Sequence, residues 1–349
     1  MPSKIITIVG ITGTQGASVA KTFLAEGGWH IRGITRDPSK PSSQEWVSQG
    51  VEVVKGDLND LNSLKSAFAG SSVIFGVTDF WGIVRDSDVQ KQAEVKGQQA
   101  NQCAYDVEVQ QGRNIVDAAN STVGTLDRFV LSTLSPTKKW SKGKYTHNYH
   151  FDAKWEAVEY LKATYSELAD KTSYLQVALY LTNWKSGLGK PSKQPDGSYL
   201  LAVPSDGDGK VAFVDAGHDT GKLYNQSRKL HNLTIGFSGI FTKALVQVKS
   251  GTVLLGYSSL LSWNEYADLW GKIHNVECRF HRLDREVLEK SIPGGVGEEL
   301  ADMLEYIGEF GYDGGDPDIV YPENLDVDVP VYTAEEYIRN EDWSPVFGV

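Results

Sequence analysis

Ile5-Ile-Thr-Ile-Val9-Gly10-Ile-Thr-Gly13-Thr-Gln-Gly16 is an apolar run, a glycine turn and then the start of a helix-forming stretch, Ala17–Glu26. The order strand, glycines, helix is what a dinucleotide-binding turn requires. Gly10 permits the tight turn, Gly13 lets backbone approach a pyrophosphate, and Gly16 lets helix and strand pack closely. The phosphates then face the helix N-terminus, whose unpaired N–H groups and dipole favour anions. Thr12 and Gln15, inside the turn, join the glycines as candidate cofactor contacts.

The pattern continues outward from this turn. Strands are expected at Trp29–Thr35, Val51–Lys55, Ser72–Val77, Arg128–Thr133 and Ser173–Leu179. Between them lie helical stretches at Ser43–Gln49, Leu61–Phe68, Glu108–Asn120 and Phe151–Leu168. Strands alternating with helices at this spacing imply a Rossmann-type α/β fold with a doubly wound parallel sheet. After Leu181 the alternation loosens. Gly187–Gly197 reads as a loop, Ser205–Gly209 as a turn cluster, Val253–Tyr257 as a late strand and Trp263–His274 as a helix. The expected organisation is a nucleotide-binding domain over residues 1–180, a smaller C-terminal α/β lobe over 181–296 with segments crossing between the two, and an extension over 297–349.

That extension stands apart in charge. From Gly297 onward there are 15 acidic residues and one basic residue, Arg339. The net charge is −11, yet residues 1–296 carry 30 acidic against 33 basic side chains. The tail's aromatics, among them Tyr306, Tyr312, Tyr337 and Trp343, argue against disorder and for packing on the body. No basic stripe suggests nucleic acid, and no apolar run approaches the length of a membrane span. Cys103 and Cys278, the only cysteines, offer neither a disulfide framework nor metal-ligand spacing, which fits a reducing, cytoplasmic setting.

The second strand ends in Thr35-Arg36-Asp37. An acidic residue at this strand end would accept the ribose 2′-hydroxyl of NAD(H), whereas an arginine can hold a 2′-phosphate. Arg36 occupies that end, so NADP(H) is the expected cofactor; Asp37 beside it keeps NAD(H) as the alternative. Asp57 and Leu58, ending the third strand, should flank the adenine. Thr78, after the fourth strand, should line the groove beside phosphates and ribose. Phe80 and Trp81 follow as candidate walls of a substrate pocket, with core packing as the alternative reading.

Taken in order, the glycine turn, Thr35-Arg36, Gly56-Asp57-Leu58, Val77-Thr78-Asp79-Phe80-Trp81, Glu108-x-x-Gln111-Gly112-Arg113-Asn114 and His150-Phe151-Asp152-x-Lys154 resemble the NmrA-like family. That family belongs to the atypical short-chain dehydrogenase/reductases and includes fungal nitrogen-regulatory proteins, an animal NADP-sensing protein and many fungal oxidoreductases. The resemblance covers roughly residues 4–180. It reappears in Lys210-Val-Ala-Phe-Val-Asp215-Ala-Gly217-His-Asp219, read as a strand and turn before a late helix, and is absent beyond Gly297.

The resemblance implies a catalytic layout. Reductases of the wider superfamily use Tyr-x-x-x-Lys, the tyrosine as general acid and the lysine on the nicotinamide ribose, with a serine or threonine polarising the carbonyl. Lys154 fits the lysine place. Ser132 and Thr133 stand at the fifth strand's end. His150 replaces the tyrosine; it is either a general acid, its usual pKa near ~6.5 suiting that role, or a packed histidine with no chemical part. Tyr149 is displaced around the helix by one residue, about 100°, and joins the pocket candidates; Tyr145 and His147 lie just before. Two functions follow: an NADPH-dependent oxidoreductase of a small organic carbonyl or conjugated alkene, or a redox-sensing regulator that binds NADP(H) and a protein partner. A non-redox isomerase is a weaker third. The chain is expected as a monomer or homodimer.

Overall fold

A computed structural model describes residues 4–215 and 237–348. Its strands are β1 (Lys4–Val9), β2 (Trp29–Thr35), β3 (Glu52–Lys55), β4 (Val73–Gly76), β5 (Arg128–Thr133), β6 (Thr172–Val177), β7 (Leu179–Tyr180), β8 (Ser192–Lys193), β9 (Tyr199–Val203), β10 (Lys210–Val214), β11 (Val253–Gly256), β12 (Ser259–Ser262), β13 (Cys278–Arg282) and β14 (Ile319–Val320). Eight of them form one sheet in the order β14-β11-β6-β5-β4-β1-β2-β3. Every pairing in it is parallel. The strand order reverses between β1 and β4, so the crevice at their C-terminal ends is where such a sheet takes a ligand.

Sequence explains why these strands are central. β4 and β6 are buried along their whole length, as expected of a parallel sheet covered on both faces. β1 pairs Ile6 with Ile31 and Ile8 with Gly33 of β2. Gly33 has to be small, because a Cβ there would lie 2.6 Å from Ile11 Cγ1. Two smaller three-stranded sheets, β12-β10-β7 and β13-β9-β8, lie outside the main one.

Most elements fall where the sequence places them, and the differences have local causes. The glycine-turn helix runs Thr14–Glu26, three residues earlier than read, because Gly13 is its N-cap. The Glu108–Asn120 stretch belongs to a longer helix, Ala100–Asn120. The single helix expected over Phe151–Leu168 is two, Tyr149–Thr164 and Ser166–Ala169. They part at Tyr165, whose φ of −132° leaves the helix while its hydroxyl bonds Asp117, as does that of Tyr160. The loop expected at Gly187–Gly197 contains β8. The turn expected over residues 216–219 lies outside the described residues.

Later chain segments meet the glycine-turn helix directly. In the Phe237–Gln247 helix, the Gly239 N–H donates to Ser18 Oγ at 2.8 Å, and a Cβ on Gly239 would lie 2.3 Å from the Ser18 carbonyl oxygen. The acidic end is woven into the core as well. Tyr306, Tyr312, Tyr337 and Trp343 are buried. Trp343 stacks on Trp184 at 4.3 Å between ring centres, and Tyr312 donates its hydroxyl to the Val177 carbonyl at 2.8 Å. No described helix is long and apolar enough to cross a membrane, and no described cluster of His, Cys, Asp and Glu could hold a metal.

Candidate functional site

The glycine turn has the shape of a phosphate cradle. Gly10 takes a φ of +67°, which favours glycine. The Gly13 N–H donates to the Gly10 carbonyl at 2.8 Å, closing the turn. A Cβ on Gly16 would lie 2.2 Å from the Gly10 oxygen, so only glycine allows this approach. No side chain caps the helix that starts here, and its first-turn N–H groups are left for an external anion. Thr12 is exposed at the turn's rim.

At the end of β2, Arg36 is exposed and has no ion pair or hydrogen bond among the described residues. Asp37 is engaged locally: its Oδ1 accepts the Ser39 N–H at 2.9 Å and the Ser39 hydroxyl at 2.6 Å, which hold its carboxyl below the usual range. The competitor for a 2′-hydroxyl is thus occupied, while the guanidinium is open. Asp57 is likewise turned onto its own loop, accepting from Asn59. Leu58 offers its carbonyl to Asn114 at 2.7 Å, and Gln111 bonds Asn59 at 3.1 Å. Gln111 and Asn114 therefore lash the loop after β3 to the Ala100–Asn120 helix.

A small pocket opens at the ends of β4 and β5, lined by Thr78, Ser132 and Lys154 together with Glu108, Gly112, Leu131, Ala153 and Ala157. The small residues matter here. A Cβ on Gly112 would sit 2.8 Å from that of Ala157, so the Ala100–Asn120 and Tyr149–Thr164 helices approach closely. Across this gap Lys154 Nζ donates to Glu108 Oε1, an ion pair with side chains 10% and 0% exposed. The other oxygen, Oε2, is buried and unpartnered. An orphaned carboxylate oxygen beside a lysine, on a residue that lines this pocket, suits the hydroxyl groups of a ribose. Cradle, open guanidinium and orphaned acceptor all fit a nicotinamide dinucleotide.

Ser132 donates its hydroxyl to Gln15 Oε1 at 2.8 Å, and Gln15 Nε2 donates to the Tyr180 hydroxyl at 3.0 Å. The end of β5 and β7 are thereby joined through Gln15 of the glycine turn. Thr133 is buried, and among the described residues its hydroxyl bonds only the neighbouring Leu134 carbonyl.

His150 sits elsewhere. Its ring packs among Trp81, Phe151 and Phe80, at 4.9, 4.9 and 5.7 Å between centres. Its Nδ1 meets Glu299 Oε1 at 2.8 Å, and its backbone N–H donates to the same oxygen at 2.9 Å. Asn101 holds the other carboxylate oxygen at 3.1 Å. Burial, reinforced by Lys154, depresses the imidazole to about 3, and burial raises the Glu299 carboxyl to about 8. Both shifts favour an uncharged pair. Phe80 and Trp81 therefore wall in His150 rather than the Lys154 pocket. Tyr149, read as a pocket residue, packs on Tyr105 and receives a long bond from Gln102 at 3.4 Å. Tyr145 and His147 bond Glu309 and Asp302 of the Val296–Phe310 helix instead.

The start of the Lys154 helix is built from a distance. Its N-cap, Asn148, makes no cap bond of its own. Instead Asp302 Oδ2 accepts the N–H groups of Thr146 and His147 at 3.0 and 2.9 Å, and Glu299 accepts that of His150. Both carboxylates come from the Val296–Phe310 helix, and Arg285 steadies Asp302 at 2.8 Å. Sequence reasoning missed Glu108, Glu299 and Tyr180. Glu108 was within reach: Ala104, Glu108, Gly112 and Ile115 recur at helical spacing on one buried face.

A model of the NmrA-like family matches residues 2–344. Among curated proteins, the NmrA-like family domain-containing oxidoreductase malD of Malbranchea aurantiaca is 25% identical over 289 residues, 80% of this chain and 76% of that protein. Among solved structures, the negative transcriptional regulator NmrA in complex with NADP superposes with a TM-score of 0.65 at 18% identity, covering 97% of this chain and 95% of that one. The same regulator is also solved with NAD. An NADPH-dependent quinone oxidoreductase of Escherichia coli gives 0.60 at 18% identity, covering 95% and 98%.

Proposed function

The chain belongs to the NmrA-like family, and on that footing we propose that it is an NADP(H)-dependent oxidoreductase acting on a small organic carbonyl or conjugated alkene. The observation that carries this reading is the convergence of Thr78, Ser132 and Lys154 on one pocket at the strand ends, beside the sheet's switch point. When bound, the reduced dinucleotide supplies hydride. Gly10, Gly13 and Gly16 give the pyrophosphate a backbone-lined seat, Arg36 takes the 2′-phosphate, and Lys154 with Glu108 holds the nicotinamide ribose. Ser132 presents a hydroxyl beside that ribose, where it orients a polar group of the substrate.

One observation favours a second reading, the redox-sensing regulator. His150, which stands in the tyrosine's place, is sealed against Glu299 and held in its neutral form. A regulator needs bound cofactor and a partner surface but no proton donor.

The experiment is a pair of titrations. Calorimetry with NADPH and NADH should give tighter NADPH, and Arg36→Ala should weaken NADPH by about tenfold or more, the worth of a charge-assisted phosphate contact, while leaving NADH within about threefold. Equal losses would remove Arg36 from cofactor selection. A panel of aldehydes, ketones and enones should then yield NADPH oxidation dependent on Lys154. Tight binding with no turnover across the panel overturns the oxidoreductase and leaves the regulator.

A further inference from the structure

Glu299 joins the two helices that carry Lys154 and Glu108, the pair assigned to the nicotinamide ribose. One carboxylate oxygen, Oε1, accepts the His150 backbone N–H at 2.9 Å and meets His150 Nδ1 at 2.8 Å. The other, Oε2, accepts from Asn101 Nδ2 at 3.1 Å. His150 stands in the first turn of Tyr149–Thr164, the helix of Lys154. Asn101 stands in the first turn of Ala100–Asn120, the helix of Glu108. The carboxylate therefore bridges the two helices with one oxygen on each.

This brace and the Lys154–Glu108 clamp lie on the same helix faces. Lys154 follows His150 by four residues and Glu108 follows Asn101 by seven, so each pair shares one side of its helix. The clamp stands about 6 Å further along one axis and about 10 Å along the other. The electrostatics agree: burial dominates the depression of the His150 imidazole, and the charges that act on it next are those of Lys154 and Glu108.

Glu299 is itself firmly held. It is fully buried, in the first turn of Val296–Phe310. That helix start docks on the Glu108 helix: Asn101 donates its backbone N–H to the Gly294 carbonyl at 3.3 Å and its Nδ2 also to the Gly295 carbonyl at 3.0 Å. Gly295 takes a φ of +80°, and a Cβ there would lie 2.2 Å from Asn101 Oδ1, so glycine is required. A buried carboxyl is a poor packing group, since an apolar side chain of similar volume fills the space without the desolvation cost. What the carboxyl adds is direction, two oxygens at a fixed span.

We infer that Glu299 is a positioning residue of the cofactor site: by bracing the Lys154 and Glu108 helices it sets the spacing at which their ion pair receives the nicotinamide ribose. The inference rests on the reading of that pair as the ribose clamp. It makes the acidic C-terminal helix part of cofactor binding without touching the cofactor.

Calorimetry with two ligands tests it. NADP⁺ reaches the clamp, whereas adenosine 2′,5′-bisphosphate has the adenine and 2′-phosphate but no nicotinamide ribose. Glu299→Ala should weaken NADP⁺ about tenfold, the order of one charged hydrogen bond lost, and leave the bisphosphate within about twofold. Glu299→Gln keeps an oxygen for the His150 N–H and should hold NADP⁺ within about threefold. Lys154→Met should itself weaken NADP⁺ about tenfold, and adding Glu299→Ala to it should bring little further loss, because the brace acts through the clamp. Asn101→Ala releases the brace from the other helix with the His150 contacts in place; it should repeat the selective loss, and it decides the matter if Glu299→Ala does not fold. Equal losses of both ligands reduce Glu299 to a packing role and overturn the inference, as does full additivity with Lys154→Met. A Lys154→Met protein that binds NADP⁺ as the parent does overturns the clamp, and the inference with it. Loss in that variant with Glu299→Ala unaffected overturns the brace alone.

Discussion

The two halves of the cofactor crevice are held by opposite means. In the glycine turn every decisive contact lies within six residues: Gly10 to Gly13, and Gly16 against Gly10. The Lys154 helix instead begins on carboxylates from about 150 positions away, Glu299 and Asp302. The first half is a local backbone shape that glycine alone permits. The second is a tertiary construction that puts an acidic, C-terminal helix in charge of where Lys154 points. Damage should therefore spread differently: steric in the first half, electrostatic and pH-dependent in the second.

The largest effect on cofactor affinity is expected from Gly16→Val. Its side chain would need the space of the Gly10 carbonyl, 2.2 Å from the Cβ position, and rigid backbone has to yield. Overpacking of this kind costs about 1–3 kcal/mol, and since the yielding atoms are the cradle itself, NADPH affinity should drop by up to ~100-fold. Calorimetric titration reads the affinity and a thermal melt reads the fold. Unchanged affinity would remove the turn from pyrophosphate binding. Next comes Lys154→Met, which leaves Glu108 fully buried without its cation. Breaking such a pair costs about 3–5 kcal/mol, and adding Glu108→Gln should restore most of it. Urea unfolding of the two variants checks this; no recovery in the double variant would mean that the ion pair is not what the lysine stabilises.

This asymmetry also explains what the sequence could disclose. The glycine turn, the alternating strands and Arg36 are read from residues adjacent in the chain, since periodicity and turn chemistry are local. Lys154 and Ser132 could be placed on a helix start and a strand end by the same logic. Nothing local connects His150 to Glu299: the aromatics of the acidic stretch point to packing on the body, but no pattern there says which carboxylate meets which partner. The break at Tyr165 was hidden for the same reason, because Asp117, 48 residues away, takes its hydroxyl. Tyr180 escaped because a tyrosine on a two-residue strand has no pattern of its own; only Gln15, 165 positions earlier, gives it direction.

The second half should show its character as a pH dependence. His150 is depressed from 6.5 to about 3 and Glu299 raised from 4.5 to about 8, with Lys154, Glu108 and Asp302 as the nearby charges. From pH 3 to 4.5 the unfolded chain binds the extra proton, on histidine, so stability rises with pH. Between 4.5 and 6.5 each state holds one proton on the pair and its contribution is flat. From 6.5 to 8 only the folded state keeps a proton, on Glu299, so stability falls, and above 8 it levels off. Urea midpoints at pH 6 and pH 8.5 should differ in the parent by this fall. Glu299→Gln should abolish the difference. A fall that persists in the variant would belong to another group.

The smallest effect sharpens the contrast from within one helix. Tyr149 and His150 are neighbours at the same N-terminus, yet only His150 is tied to the distant acidic helix. Tyr149 leans on Tyr105 at 5.6 Å, and its hydroxyl receives Gln102 at 3.4 Å, a weak and half-exposed bond. Tyr149→Phe removes only that hydroxyl, so stability should change by less than about 0.5 kcal/mol, and NADPH affinity should stay within about twofold. A substantial loss of NADPH affinity in this variant would mean that the Tyr149 hydroxyl reaches the crevice after all, and that the helix start is steered from its near side as well as from Glu299 and Asp302.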